Sequence, residues 1–69
     1  MVFGRRIREE REKAGLTLEE LALKLGIDTG RLKRIEENQE IPQLPVLLNL
    51  SKILNKQKGY FFQEVVLGK

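Results

Sequence analysis

The sequence predicts an all-α fold, a compact bundle of five short helices, on three observations. Apolar residues recur at helical spacing in five stretches, of which only the last also permits an extended reading. Gly15, Gly26 and Pro42 punctuate the chain between stretches. Residues suited to capping helices, Thr17, Asp28 and Asn38, stand at the boundaries this implies. Strand content is expected to be negligible, and there is no internal repeat or low-complexity segment.

The first helix is expected from about Val2 to Lys13. Phe3, Ile7, Arg11 and Ala14 share one face, which puts Arg11 on an otherwise apolar stripe. Gly15 ends it. Thr17 and Glu20 fit a capping box opening the second helix: the threonine oxygen accepts from the Glu20 N–H, and the Glu20 carboxylate from the Thr17 N–H. Leu18, Leu21, Ala22 and Leu25 form its buried face, and Gly26 supplies the positive φ of the turn that follows. Asp28 is a suitable N-cap for the third helix, its charge favoured by the helix dipole. Leu32 and Ile35 pin that helix inward, Glu36 falls near the same face, and Asn38 can take the left-handed conformation that ends it.

Residues 38–43 form a loop around Pro42. A fourth helix is expected from near Leu44, with Pro45 tolerated in its first turn. Leu44, Leu47, Leu48, Leu50, Ile53 and Leu54 make it apolar on most sides, the pattern of a central core helix closed by Asn55. After a connector, YFFQEVV reads as a short fifth helix or an extended tail, with residues 64–69 as a C-terminal tail. Within this order, LEELALKLGIDTGRLKRIEE (residues 18–37) stands out as two amphipathic helices bent around Gly26. The small Ala22 lets the two cross closely. That is a helix-turn-helix pattern, at about residues 17–37, whose second helix can enter a DNA major groove.

Sixty-nine residues make one small domain, residues 1–69, with a single core of marginal stability. At 41% apolar and 33% charged the composition is that of a globule. No apolar run approaches the ~18 residues of a membrane-spanning helix, and the charged start offers no signal-peptide core. Cysteine is absent, so disulfides and thiolate metal sites are excluded and a cytoplasmic location is expected. Histidine is also absent, and Ser51 and Asp28 are the only residues of their kinds, which removes the familiar nucleophilic triads and histidine–metal sites within one chain. The glutamates at 9, 10, 12, 19 and 20 read as solvated helix faces. We therefore expect no enzyme, no catalytic residue, no metal and no small-molecule cofactor.

Taken in order, FGRRIREEREKAGLTLEELALKLG, a capped helix ending RIEEN, a proline loop and an L-x-x-LL-x-L helix resemble a known family. It is the Cro and phage-repressor type of helix-turn-helix domain, the xenobiotic-response-element-like regulators of bacteria and phages. The resemblance covers roughly residues 3–63. It implies a lambda-repressor-like five-helix DNA-binding domain that binds double-stranded DNA as a homodimer and regulates transcription. Buried charges need partners, so the inward Arg11 and Glu36 are expected to pair, as matching positions do in the family.

With Leu32 and Ile35 inward, the outward face of the third helix carries Thr29, Gly30, Arg31, Lys33 and Arg34. The resemblance assigns base contacts to Thr29, Gly30 and Arg34, while Arg31 and Lys33 could reach bases or phosphates. Arginine can meet guanine with two parallel donors. Several positions depart from the family. Gly30 lacks a side chain where a polar one is usual. Leu18 replaces a common glutamine, and Glu37, Asn38, Gln39 and Glu40 bring no cation to a loop that normally faces phosphate. Each missing cation removes counterion release and affinity. Thr17, Gln39 and Gln43, with the backbone at Leu18, remain as neutral phosphate donors.

The net charge of +3 is spread as basic ends around an acidic middle: residues 16–40 hold four Lys/Arg against six Asp/Glu. Nucleic acid suits such a chain only if the middle's cations face outward. Tyr60, Phe62, Val65 and Val66 are candidate dimer contacts, the alternative being that Phe61 and Phe62 cap the core. The competing function is a protein-interaction helix-turn-helix module, cytoskeletal-adaptor-like or antitoxin-like, with weak or no DNA binding.

Overall fold

Four helices follow one another in the computed structural model, which describes residues 3–57 and 60–61: α1 (Phe3–Lys13), α2 (Leu18–Leu25), α3 (Thr29–Glu36) and α4 (Leu44–Ile53). No strand occurs among the described residues. Tyr60 and Phe61 are helical rather than extended. The rest of the expected fifth helix lies outside the described residues, as do Val2 and the C-terminal tail.

Each boundary has a local cause. Gly15 at φ 74° lets the chain leave α1, and the Leu16 N–H returns to the Arg11 carbonyl at 3.1 Å. The capping box opens α2 in full, with Glu20 N–H donating to Thr17 Oγ1 at 3.0 Å and Thr17 N–H to Glu20 Oε1 at 2.8 Å. Gly26, left-handed at φ 74° and ψ 27°, closes α2, and the Ile27 N–H donates back to the Ala22 carbonyl. Asp28 caps α3 by accepting from the Arg31 N–H at 2.7 Å. Asn38 at φ 61° ends the α3 turn, and Asn55 at φ 58° does the same after α4.

Hydrogen bonds from Thr17, its backbone N–H most strongly and then its side chain, hold the Glu20 carboxyl below the usual carboxylate range. A depressed folded value adds stability above the unfolded value of about 4.3 and loses it as the pH falls through the folded one. Glu20→Gln is therefore expected to melt with a smaller difference between pH 7 and pH 3 than the parent chain. Thr17→Ala is expected to cost about 1 kcal/mol in a denaturant titration at neutral pH.

The core draws on every helix: Phe3 and Ile7 from α1, Leu21 and Ala22 from α2, Leu32 and Ile35 from α3, Leu47 and Leu50 from α4. Phe61 is fully buried with them. The helix that packs on both α1 and α2 is α3, while α4 packs on α2. Sequence periodicity expects α4 at the centre, and that expectation needs correcting. Only the stripe through Leu47, Leu50, Ser51 and Leu54 is buried; Leu48 and Ile53 are half-buried and Leu44 is 50% exposed. Leucine content gave the helix too many inward faces, because apolar side chains are also common on protein surfaces. Buried Ser51 is satisfied within its own helix, donating to the Leu47 carbonyl at 3.2 Å.

An unforeseen contact joins α1 to the end of α3. The Gly4 N–H donates to Asn38 Oδ1 at 3.1 Å, and Gly4 is buried beneath the last α3 carbonyls. No helix among the described residues is long and apolar enough to cross a membrane.

Candidate nucleic-acid interface

The face of α3 opposite its buried residues is set by two anchors. Leu32 and Ile35 are fully buried and Glu36 nearly so, which turns Gly30, Lys33 and Arg34 outward and leaves Thr29 and Arg31 half-buried at the margins. The Asp28 cap fixes where the helix starts, so its first turn stands at the exposed end of the turn around Gly26.

The orientation of α3 is locked from behind by a two-pronged ion pair. Arg11 Nε donates to Glu36 Oε2 at 2.8 Å and Nη2 to Oε1 at 3.1 Å, while Nη1 donates to the Leu16 carbonyl at 3.0 Å. The side chains are only 11% and 4% exposed. Hydrogen bonding to Glu36 outweighs burial and raises the already high pKa of Arg11, so the guanidinium stays charged. One side chain thus joins α1, the turn after it and α3.

On the outward face the cations divide. Lys33 lines a shallow cleft with Arg8, Leu18 and Glu37, towards α1 and the start of α2. Arg31 and Arg34 lie on the side of the 38–43 loop, where both meet one carboxylate. Arg31 Nε donates to Glu40 Oε2 at 2.6 Å, and Arg34 Nε to Glu40 Oε1 at 3.2 Å. The Arg31 hydrogen bond chiefly, then that of Arg34, holds the Glu40 carboxyl below its ordinary range. Sequence reasoning missed this role: Glu40 registers there only as a missing cation. No helical spacing rule links residue 40 to residues 31 and 34, because the chain turns at Asn38 between them.

Gly30 takes ordinary helical geometry. A Cβ there would crowd Asp28 Oδ1 at 3.3 Å and stand in ordinary contact with Arg34 Nη1 at 3.7 Å.

The expected phosphate contacts are scattered at the margins. Thr17 is exposed, and its backbone N–H and hydroxyl oxygen are engaged in the capping box. Leu18 is half-buried against the core edge and brings no polar group. Gln39 and Gln43 are exposed, and Gln43 precedes α4 without capping it through its side chain.

Of the dimer candidates, Tyr60 is half-buried against the chain itself. Its hydroxyl accepts from Arg6 Nη1 at 3.4 Å, its ring meets Phe61 edge-on at 4.9 Å, and Lys56 Nζ stands 5.4 Å from the ring centre. Phe62, Val65 and Val66 lie outside the described residues. No cluster of acidic side chains that could hold a metal occurs among the described residues.

A capped helix packed against a second one, the second carrying Lys33 and Arg34 outward and Arg31 at its margin, is the arrangement of a helix-turn-helix domain. The chain belongs to the helix-turn-helix family of Cro and phage-repressor type, whose sequence model matches residues 7–61. It is 38% identical, over all 69 residues, to the HTH-type transcriptional regulator ImmR of Bacillus subtilis (strain 168), and spans 50% of that protein's length. Its structure is similar to a chain of the SinR protein/SinI protein complex, with a TM-score of 0.80 and 30% identity, covering all of this chain and 67% of that one.

Proposed function

We propose that this domain reads double-stranded DNA by sequence, as the operator-binding part of a transcriptional repressor that works as a homodimer on a pseudo-palindromic site. The observation that carries the reading is the face of α3 away from the core: Lys33 and Arg34 exposed, with Arg31 at the margin, on a helix whose other side is sealed into the core. Helix N-terminal residues reach base edges first, which favours Thr29, Gly30 and Arg31, with Arg34 one turn further on. Lys33, Thr17, Gln39, Gln43 and the backbone at Leu18 serve phosphates. A domain this small reads few base pairs, so a two-fold dimer through Tyr60, Phe62, Val65 and Val66 supplies the second half-site.

The test is a selection from randomised duplexes at two salt concentrations, with the oligomer mass recorded alongside. An enriched two-fold motif whose affinity falls steeply with salt supports the reading; no enrichment at low salt ends it. On the selected duplex, Arg34→Ala is expected to lower discrimination at one base pair by about 1–3 kcal/mol, the range of a bidentate arginine–guanine contact. An equal loss on every sequence would move Arg34 to the phosphate contacts.

The second reading, a protein-interaction module, draws on the apolar Ile41 and Leu44, 58% and 50% exposed beside the basic face. A pull-down that recovers a protein target, together with no duplex affinity at low salt, would favour it.

A further inference from the structure

We infer that Glu40 is a specificity-determining positioning residue of the DNA-reading face, acting through Arg31 and Arg34. The inference rests on the DNA-binding reading above and deepens it. Glu40 takes one arginine on each carboxylate oxygen, Arg31 at 2.6 Å and Arg34 at 3.2 Å, and it takes both through Nε. A guanidinium has five donors in a rigid plane. Using the Nε edge leaves Nη1 and Nη2 at the far end, the pair that can meet O6 and N7 of guanine end-on.

The carboxylate also changes what the cations can do without the right bases. Two free arginines beside a backbone-facing loop would bind phosphate of any sequence, which raises background affinity and lowers selectivity. With Glu40 between them, the trio carries one net positive charge and its side chains are held in one geometry. A correct base pair rewards that geometry, whereas a phosphate has to compete with a carboxylate already in place. Fold stability gives Glu40 little other reason to be there. Its side chain is 26% exposed and Arg34's is 51% exposed, and exposed ion pairs contribute little. The end of α3 is secured separately by Asn38 and by the Gln39 N–H bond to the Arg34 carbonyl at 2.8 Å.

The experiment compares the parent chain with Glu40→Ala and the isosteric Glu40→Gln on the selected duplex and on a scrambled one, at two salt concentrations. Expected for both variants is scrambled-duplex affinity raised about tenfold, selected-duplex affinity changed little, and a log–log salt slope on scrambled DNA steeper by about one counterion. Melting temperatures should stay with the parent's. Introducing Glu40→Ala into an Arg31→Ala/Arg34→Ala background should leave the ratio of the two affinities unchanged, since the carboxylate then has nothing to position. An unchanged ratio in the single variants overturns the inference, and so does a parallel loss on both duplexes with a lowered melting temperature. If the parent itself selects no motif, the DNA reading falls and this inference with it. A selective parent with equally selective variants removes Glu40's role alone.

Discussion

Replacing Arg11 by alanine is expected to destabilise the domain by about 3–5 kcal/mol, the cost of stranding one partner of a buried ion pair. Glu36, whose side chain is 4% exposed beside Arg11, would lose the donors to both carboxylate oxygens, and the Leu16 carbonyl would lose the Arg11 Nη1 bond. In a 69-residue chain that is a large part of the total stability, so the variant should be extensively unfolded at temperatures where the parent is folded. Circular dichroism during a thermal or urea titration reads it directly. The pair is not expected to be the best solution for stability alone. Arg11→Met with Glu36→Leu should lose less than Arg11→Ala, because no charge is left buried. If Arg11→Ala melts within a degree or two of the parent, the pair contributes only as an exposed one would.

Gly4→Ala is the second large effect, and its sign opposes helix propensity. In a free helix, alanine is the better residue by about 1 kcal/mol. Here a Cβ would lie 2.5 Å from the Glu36 carbonyl oxygen, 2.6 Å from that of Ile35 and 2.8 Å from Asn38 Oδ1. Two of those atoms are backbone and cannot swing away, so α1 must lift from the end of α3. Overpacking of this kind costs about 1–3 kcal/mol or more. The displacement would also strain the Gly4 N–H bond to Asn38 and the nearby Arg11–Glu36 pair. A urea titration showing the variant as stable as the parent would mean that the two helices can separate there at little cost. Gly30→Ala is the control: its nearest neighbour would be the Asp28 side chain at 3.3 Å, with no backbone atom in the way.

Much of this architecture is readable from short stretches of chain. The Thr17–Glu20 box, the Asp28 cap, the left-handed Gly26 and the left-handed Asn38 each involve residues within four positions of one another. Their chemistry is local, so spacing carries it. The inward stripe of α3 is equally local, and it is what turns Lys33 and Arg34 outward and sets Arg31 at the margin. Arg11 and Glu36 can be matched across the molecule because each is the one charge on an otherwise apolar stripe.

What residue spacing could not convey follows from how the helices cross. The path of the 38–43 loop brings Glu40 back over α3, and that converts an acid in a basic interface from an apparent defect into a partner for two arginines. The closeness of α1 to the α3 terminus makes Gly4 a packing residue with no local signature. The same crossings put α3 between α1 and α2 and leave Leu44 half outside the core. Helix limits and helix faces were already written in the order of residues, because hydrogen bonds within a turn and a 3.6-residue period need no distant partner. Which charges meet and which glycine is indispensable depended on distances between helices, and those exist only once the side chains of all four have packed together.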